Sequence, residues 1–280
     1  MTASAPVSIA RSTDGTIITY HSLGEGVPII VVGGAMRAGI DYLAFAEVLA
    51  ERFSVHVMDR RGRGASGPLG SDYGIDKECQ DLLAVQVATG ARLVFGHSYG
   101  GLVALETAVR ADLFDAVAVY EPGVSVAGSI PTAWMGRYRQ LLDRGDSRGA
   151  FAYFVRAFGH PWMAMLPVWY LRAVLRLVIR RRRWEERFEP LLAANLAEHE
   201  QVAALDSSLD RYKAITARVL LLGGSRSPSI LTDQALGMLH QTIEVAELEI
   251  IHGLDHLAPD EKAPEVVARR VLAFMGSTTR

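Results

Sequence analysis

A chain of 280 residues, half of them hydrophobic, can bury the core of one large domain with room for an insertion. Its formal net charge of −2 gives no reason to expect nucleic acid or another polyanion as a partner. The single cysteine, Cys79, rules out an internal disulfide, and the first 12 residues lack a basic stretch leading into an apolar run, so no secretory signal and a cytoplasmic location are expected.

In chain order, residues 7–11 and 16–22 read as an opening hairpin around Asp14-Gly15, a favoured turn pair. Short apolar runs follow at 28–32, 55–58, 92–95, 116–120, 219–222 and 248–251. Helical patterns separate them at 42–52, 77–89, 102–111, 232–240 and 264–275, with Cys79 a small buried residue of the second. Continuous apolar strands between helices predict an α/β fold: a mostly parallel, eight-stranded sheet covered by helices on both faces. Strand signals stop between residues 131 and 216, a stretch that holds every tryptophan of the chain: Trp134, Trp162, Trp169 and Trp184. That stretch is too long for a plain loop and predicts a helical cap inserted into a core of residues 1–130 and 217–280.

The strand at 92–95 runs directly into Gly96-His97-Ser98-Tyr99-Gly100 and then into the helix former Leu102-Val103-Ala104-Leu105. A serine on a tight strand-to-helix turn has its hydroxyl exposed above a helix N-terminus, and the flanking glycines let backbone pack closely around the strained turn. A bare G-x-S-x-G also occurs as a Gly-rich turn whose serine caps a helix. The strand before it and the helix after it favour the nucleophile elbow.

With this elbow, the alternation and the cap, the chain resembles the α/β-hydrolase superfamily over nearly its whole length. The segments Val31-Val32-Gly33-Gly34-Ala35, Met58-Asp59-Arg60-Arg61-Gly62-Arg63-Gly64-Ala65-Ser66-Gly67 and Gly253-Leu254-Asp255-His256-Leu257-Ala258-Pro259 strengthen the likeness. The resemblance implies Ser98 as nucleophile and His256, in the loop after the last strand, as the base that takes its proton. His97 shapes the elbow rather than serving as base, and Asp59 and Arg61 brace a loop. The acid departs from the commoner pattern, because Gly223-Gly224-Ser225-Arg226-Ser227-Pro228 offers no carboxylate after the seventh strand. Asp233 lies inside the following predicted helix, whereas Glu121 ends the sixth strand beside the elbow, a position some members of the superfamily use. Glu121 is therefore the chosen acid; a loop-holding role for it, or a site with no acid, remains open. The resemblance places the oxyanion donors on the backbone N–H groups of Ala35 and Tyr99.

At 100° per residue, Leu171, Val174, Leu175 and Val178 share one face of a cap helix, and Arg172, Arg176 and Arg180 the other. The apolar face is expected to cover the active site, with Trp134, Trp162 and Trp169 binding substrate. The arginines read as a solvated or acid-paired face, with interfacial contact to anionic lipid as the alternative. Pro167, Arg172 and Arg176 exclude a membrane span, since a central charge costs roughly 2.5 kcal/mol or more. Nucleotide-binding glycine loops and metal-ligand spacings are absent, so neither cofactor nor metal is expected. The reading is a serine hydrolase acting on a small to medium, mainly apolar carboxylic ester or lactone. The alternatives are a carbon–carbon bond hydrolase or cyclising enzyme on the same triad, and a ligand-binding module without turnover. The partner is a small-molecule substrate, and the sequence specifies no oligomeric state.

Overall fold

The computed structural model describes residues 6–159, 161–228 and 234–278. Among them, the strands are β1 (Val7–Arg11), β2 (Ile17–Leu23), β3 (Val27–Val32), β4 (Phe53–Met58), β5 (Leu93–His97), β6 (Ala116–Tyr120), β7 (Arg218–Gly224) and β8 (Ala246–Ile251). They form one sheet in the order β1-β2-β4-β3-β5-β6-β7-β8. The opening hairpin is antiparallel and β2 joins β4 antiparallel; every later pairing is parallel.

Side chains alternate across the inner strands because successive residues of a strand point to opposite faces. Ile30, Val32, Val94, Val117 and Val119 meet one helical layer, containing α2 (Ile75–Thr89) and α3 (Tyr99–Arg110). Ile29, Val31, Phe95, Ala118 and Tyr120 meet the other, containing α1 (Leu43–Leu49) and α10 (Pro264–Thr278). The continuous apolar strands thus face hydrophobic cores on both sides. Helix α3 is buried from Tyr99 through Ala108, so it runs inside the molecule. Cys79 is buried on α2.

Between β6 and β7 the chain forms α4 (Met135–Asp143), α5 (Ser147–Phe158), α6 (Val168–Val178), the short turn α7 (Arg181–Arg183) and α8 (Leu192–Ala204). Trp134, Tyr138, Phe151, Trp184 and Leu192 build a third apolar cluster there, and Met36 from the loop after β3 joins it. Helix α6 does not turn the expected face inward. Leu171 is buried and Leu175 half-buried, while Val174 and Val178 are exposed together with Leu177. The cluster takes only a narrow stripe of α6 because α4, α5 and α8 already supply its aromatic and leucine side chains. The helix expected at 232–240 falls partly outside the described residues; α9 spans Gly237–Thr242.

Backbone packs closely against backbone under α3. A Cβ placed on Gly100 would lie 2.2 Å from the Val32 carbonyl oxygen and 2.6 Å from that of Gly33. Gly100→Ala should therefore destabilise the protein by roughly 1–3 kcal/mol or more, the cost of overpacking a site that cannot relax. Chemical unfolding measures it; a variant as stable as the parent would show that α3 can shift away from the sheet.

Candidate active site

Strand β5 lies mid-sheet between β3 and β6 and ends at His97, delivering Ser98 to the carboxyl edge where ligands collect in such sheets. Ser98 has φ 53° and ψ −121°, a conformation that costs an L-residue about 1–3 kcal/mol unless its surroundings impose it. The surroundings do: Ser98 N–H donates to the Tyr120 carbonyl at 3.0 Å, and its own carbonyl accepts from Gly101, Leu102 and Gly123. Met36 and Glu121, with φ 58° and 42°, are two of the four other non-glycine residues of positive φ among those described. Backbone strain is thus concentrated on the three loops that meet at this edge.

Glu121 follows β6, fully buried, and Oε1 of its carboxylate accepts the Gly224 amide at 2.8 Å. Its Oε2 lies 2.7 Å from His256 Nδ1, and His256 Nε2 lies 3.1 Å from Ser98 Oγ. With Oε1 occupied by an N–H donor, the Glu121 carboxylate is an acceptor, so Nδ1 carries the proton and Nε2 is left to accept from Ser98. Burial alone would raise the Glu121 pKa; the hydrogen bond and charge of His256, with the Gly224 amide, outweigh it and hold the carboxyl below its ordinary value. Ser98, His256 and Glu121, separated by up to 158 residues, are thus brought into one hydrogen-bonded line. Asp233 lies outside the described residues.

His97 is bonded on both sides. Nε2 donates to the His256 carbonyl at 2.9 Å, and Nδ1 accepts from the Tyr42 hydroxyl at 2.6 Å, which in turn accepts the Gly34 amide at 2.9 Å. Burial, with the charge of a protonated His256 beside it, pushes His97 well below the ordinary histidine range. It stays neutral, in one tautomer, and ties the loop after β3 to the loop carrying His256.

That same loop is gripped from beneath by two buried arginines. Arg60 donates to the carbonyls of Gly33 at 2.9 Å and Gly34 at 3.1 Å, and Arg63 donates to Gly34 at 3.2 Å. Their charge is met by Glu78 on α2, 2.7 Å from Arg60, and by Glu198 on α8, 3.0 Å from Arg60 and also bonded to Arg63. Since a trans peptide points its N–H opposite its C=O, the arginines that hold the Gly34 carbonyl turn the Ala35 N–H away from themselves. Likewise, the Ser98 carbonyl turned into α3 directs the Tyr99 N–H the other way, and as the first amide of the helix it has no intrahelical acceptor. A Cβ on Gly34 would sit 3.1 Å from Ser98 Cβ, which places this loop beside the serine.

Asp59 accepts from the Gly39 amide at 2.7 Å and from Thr19, and Arg61 is bidentate to Asp81 at 2.7 Å through both bonds, so both brace loops. Of the tryptophans expected at the substrate, Trp134 is buried in the insertion's cluster with Met36. Trp162, in the turn before α6, is 51% exposed, and Trp169 is 72% exposed because the stripe of α6 that is buried passes through Leu171 and Leu175 instead. Sequence reasoning missed Tyr42, Glu78 and Glu198: Glu198 is 138 residues from Arg60, and although Tyr42 is only 8 residues from Gly34 and Glu78 18 from Arg60, neither spacing is one that signals a contact. Among the described residues no cluster of His, Cys, Asp or Glu is suited to a metal ion.

A serine presented on this turn, with a histidine and a carboxylate brought to it from the ends of later strands, is the arrangement of an α/β hydrolase. The pattern of the alpha/beta hydrolase family matches residues 29–270, and the chain belongs to that family. It is 34% identical to N-formylmaleamate deformylase of Pseudomonas putida over 110 residues, 38% of this chain and 41% of that protein. It is 38% identical to pimeloyl-[acyl-carrier protein] methyl ester esterase of Chromobacterium violaceum over 90 residues, 32% of this chain and 34% of the esterase. The aligned stretches thus span well under two thirds of these relatives. A solved α/β hydrolase from Sphaerobacter thermophilus matches with a TM-score of 0.78 at 27% identity, covering 96% of this chain and all of that one.

Tyr42→Phe removes both the acceptor of the Gly34 amide and the donor to His97, and should destabilise the protein by roughly 1–3 kcal/mol, the cost of a buried unsatisfied group. It should lower kcat more than it raises KM, because Gly34 precedes Ala35. Urea unfolding and steady-state rates on an activated ester measure both; unchanged values would remove Tyr42 from the network. The pH dependence gives a separate check on His97. Below about pH 6.5 the unfolded chain takes up a proton at this residue that the folded chain refuses. Stability should therefore fall as pH drops below about 6.5, and the difference between parent and His97→Asn should shrink with it, at a slope of at most about 1.4 kcal/mol per pH unit. A constant difference would mean His97 titrates alike in both states.

Proposed function

We propose that this hydrolase cleaves a small to medium, mainly apolar carboxylic ester or lactone through an acyl-enzyme on Ser98. The observation that carries the reading is His256, held with Nδ1 on Glu121 and Nε2 on Ser98. In the first step Ser98 Oγ attacks the carbonyl carbon while His256 Nε2 takes the hydroxyl proton. The oxyanion forms against the N–H groups of Ala35 and Tyr99, the two amides turned out by clamped carbonyls. The tetrahedral adduct collapses, His256 gives its proton to the leaving alcohol, and a water activated by the same histidine releases the acid. Glu121 keeps the required tautomer and stabilises the imidazolium in both halves. The insertion serves as a cap, and its Trp134 cluster reaches the site through Met36, next to Ala35. Apolar surroundings at this point support an apolar acyl group. The methyl ester esterase among the relatives supports ester chemistry, and product analysis separates it from cleavage of a carbon–carbon bond on the same triad.

Ser98→Ala should leave folding nearly unchanged and lower turnover of an activated acyl ester by roughly 10⁴-fold or more. Glu121→Gln should lower it by up to about 10⁴-fold, because an amide favours the wrong tautomer and cannot stabilise the imidazolium. Asp233→Asn should change it little. Purified variants compared by initial rates decide the matter: full activity in Ser98→Ala ends the serine mechanism, and a larger loss in Asp233→Asn than in Glu121→Gln transfers the acid to Asp233.

A further inference from the structure

We propose that the outward face of α6, with the cleft beside it, docks the protein on a membrane surface that contains anionic phospholipid. Nearly half of the exposed large hydrophobic side chains among the described residues fall between 158 and 178. Trp169 is 72% exposed, Leu177 85% and Val178 71%, and Met165, just before the helix, is 83% exposed. An apolar surface of this extent in water marks a place of contact. No helix among the described residues is long and apolar enough to cross a membrane, so the contact lies along a surface.

Charge identifies the occupant. Residues 158–183 contain six arginines and neither aspartate nor glutamate, in a chain whose net charge is −2. Arg172, Arg181 and Arg182 are paired with Asp146, Glu185 and Glu186; Arg176, Arg180 and Arg183 have no carboxylate partner among the described residues. Beside α6 opens a cleft of about 520 Å³ lined by Arg148, Arg172, Arg176, Arg181 and Trp184, and by the carboxylates of Asp146, Glu185 and Glu189. Arg148 stacks over the Trp184 ring at 4.5 Å, and its buried Nη1 has no hydrogen-bond partner. Asp146 and Glu185 are taken by Arg172 and Arg181, and Glu189 accepts from Ser147, so the unpaired Arg148 nitrogen and Arg176 leave the cleft a positive excess that fits an anion such as a lipid phosphate. A second copy of the chain fits poorly, because a two-fold contact through this face would set one arginine-rich segment against the other. An anionic bilayer meets both demands: acyl chains for Trp169, Leu177 and Val178, and phosphates for the arginines along their edge.

The test is flotation of the full-length protein with vesicles of phosphatidylcholine, alone or with about 30% phosphatidylglycerol. Binding is expected only to the second kind, reduced at least ~10-fold in about 1 M salt, where the screening length is roughly 3 Å. Leu177→Ser/Val178→Ser and, separately, Arg176→Gln/Arg180→Gln should each reduce it ~10-fold or more, with turnover of a soluble ester unchanged. Both pairs are on the surface, so folding is spared. Failure of the parent to float with the anionic vesicles would overturn the proposal, as would undiminished flotation of both variants. A dimer dissolved by Leu177→Ser/Val178→Ser, without vesicle binding, would reassign the face to self-association. Glycerol 3-phosphate binding in the cleft without flotation would reassign the cleft to a free anion.

Discussion

Everything at the candidate site depends on one steric condition: α3 begins in direct backbone contact with the ends of β3 and β5. Gly100 lies against the Val32 and Gly33 carbonyls, and a Cβ on Gly96 would come within 2.5 Å of the Gly100 carbonyl oxygen. With no side chain to separate these backbones, the one residue between strand and helix that must reverse direction, Ser98, is driven to positive φ. Its hydroxyl is then left at the sheet edge rather than in either core. The cost of that conformation is held by the burial of α3, whose apolar residues on all sides fix it inside the molecule. A looser helix would let the serine relax into an ordinary cap.

The second requirement is electrostatic. Buried arginines and glutamates are costly to bring out of water, and removing one member of such a pair costs more than the pair returns. Here Arg60 and Arg63 face Glu78 and Glu198, and the arginines spend their remaining donors on backbone carbonyls of the loop after β3. The placement of Glu198 on α8 means that the insertion contributes a charge on which the core loop depends. Glu121 shows the same economy on a smaller scale. One of its oxygens holds the Gly224 amide and the other holds His256, so holding a loop and orienting a histidine are tasks of one carboxylate rather than alternatives.

Much of this was legible in the sequence, for identifiable reasons. Parallel strands covered on both faces read as unbroken apolar runs, so Ala116–Tyr120 stands out with its bounds intact. The elbow carries its own signature because only glycine fits where Gly96 and Gly100 sit. Glu121 was reachable by elimination, since no carboxylate stands between Gly223 and Pro228. What stayed hidden depends on distance or on competition. Glu198 is 138 residues from Arg60, and nothing in the spacing pairs them. Helix α6 is apolar over more than half its circumference, and periodicity alone does not say which part the insertion's cluster takes. Leu171 and Leu175 go inward; Val174 and Val178, on the same predicted face, are left outside.

The segment from Gly33 to Arg37 shows how these forces converge. Its carbonyls at Gly33 and Gly34 are held by arginines, its Gly34 amide by Tyr42, its Met36 side chain by the aromatic cluster of the insertion, and its Arg37 side chain by Asp260 and Glu261. Each contact comes from a different part of the chain, so the loop has no direction in which to yield without breaking one of them. In the proposed mechanism the Ala35 amide of this loop meets a developing negative charge, and that task demands this kind of fixity, because donors that are already oriented need no reorganisation as the charge appears. A flexible loop offering the same amides would lose much of that advantage to the energy of arranging them. The positive φ of Met36 is where this restraint is visible in the backbone, one residue beyond the amide that the restraint holds in place.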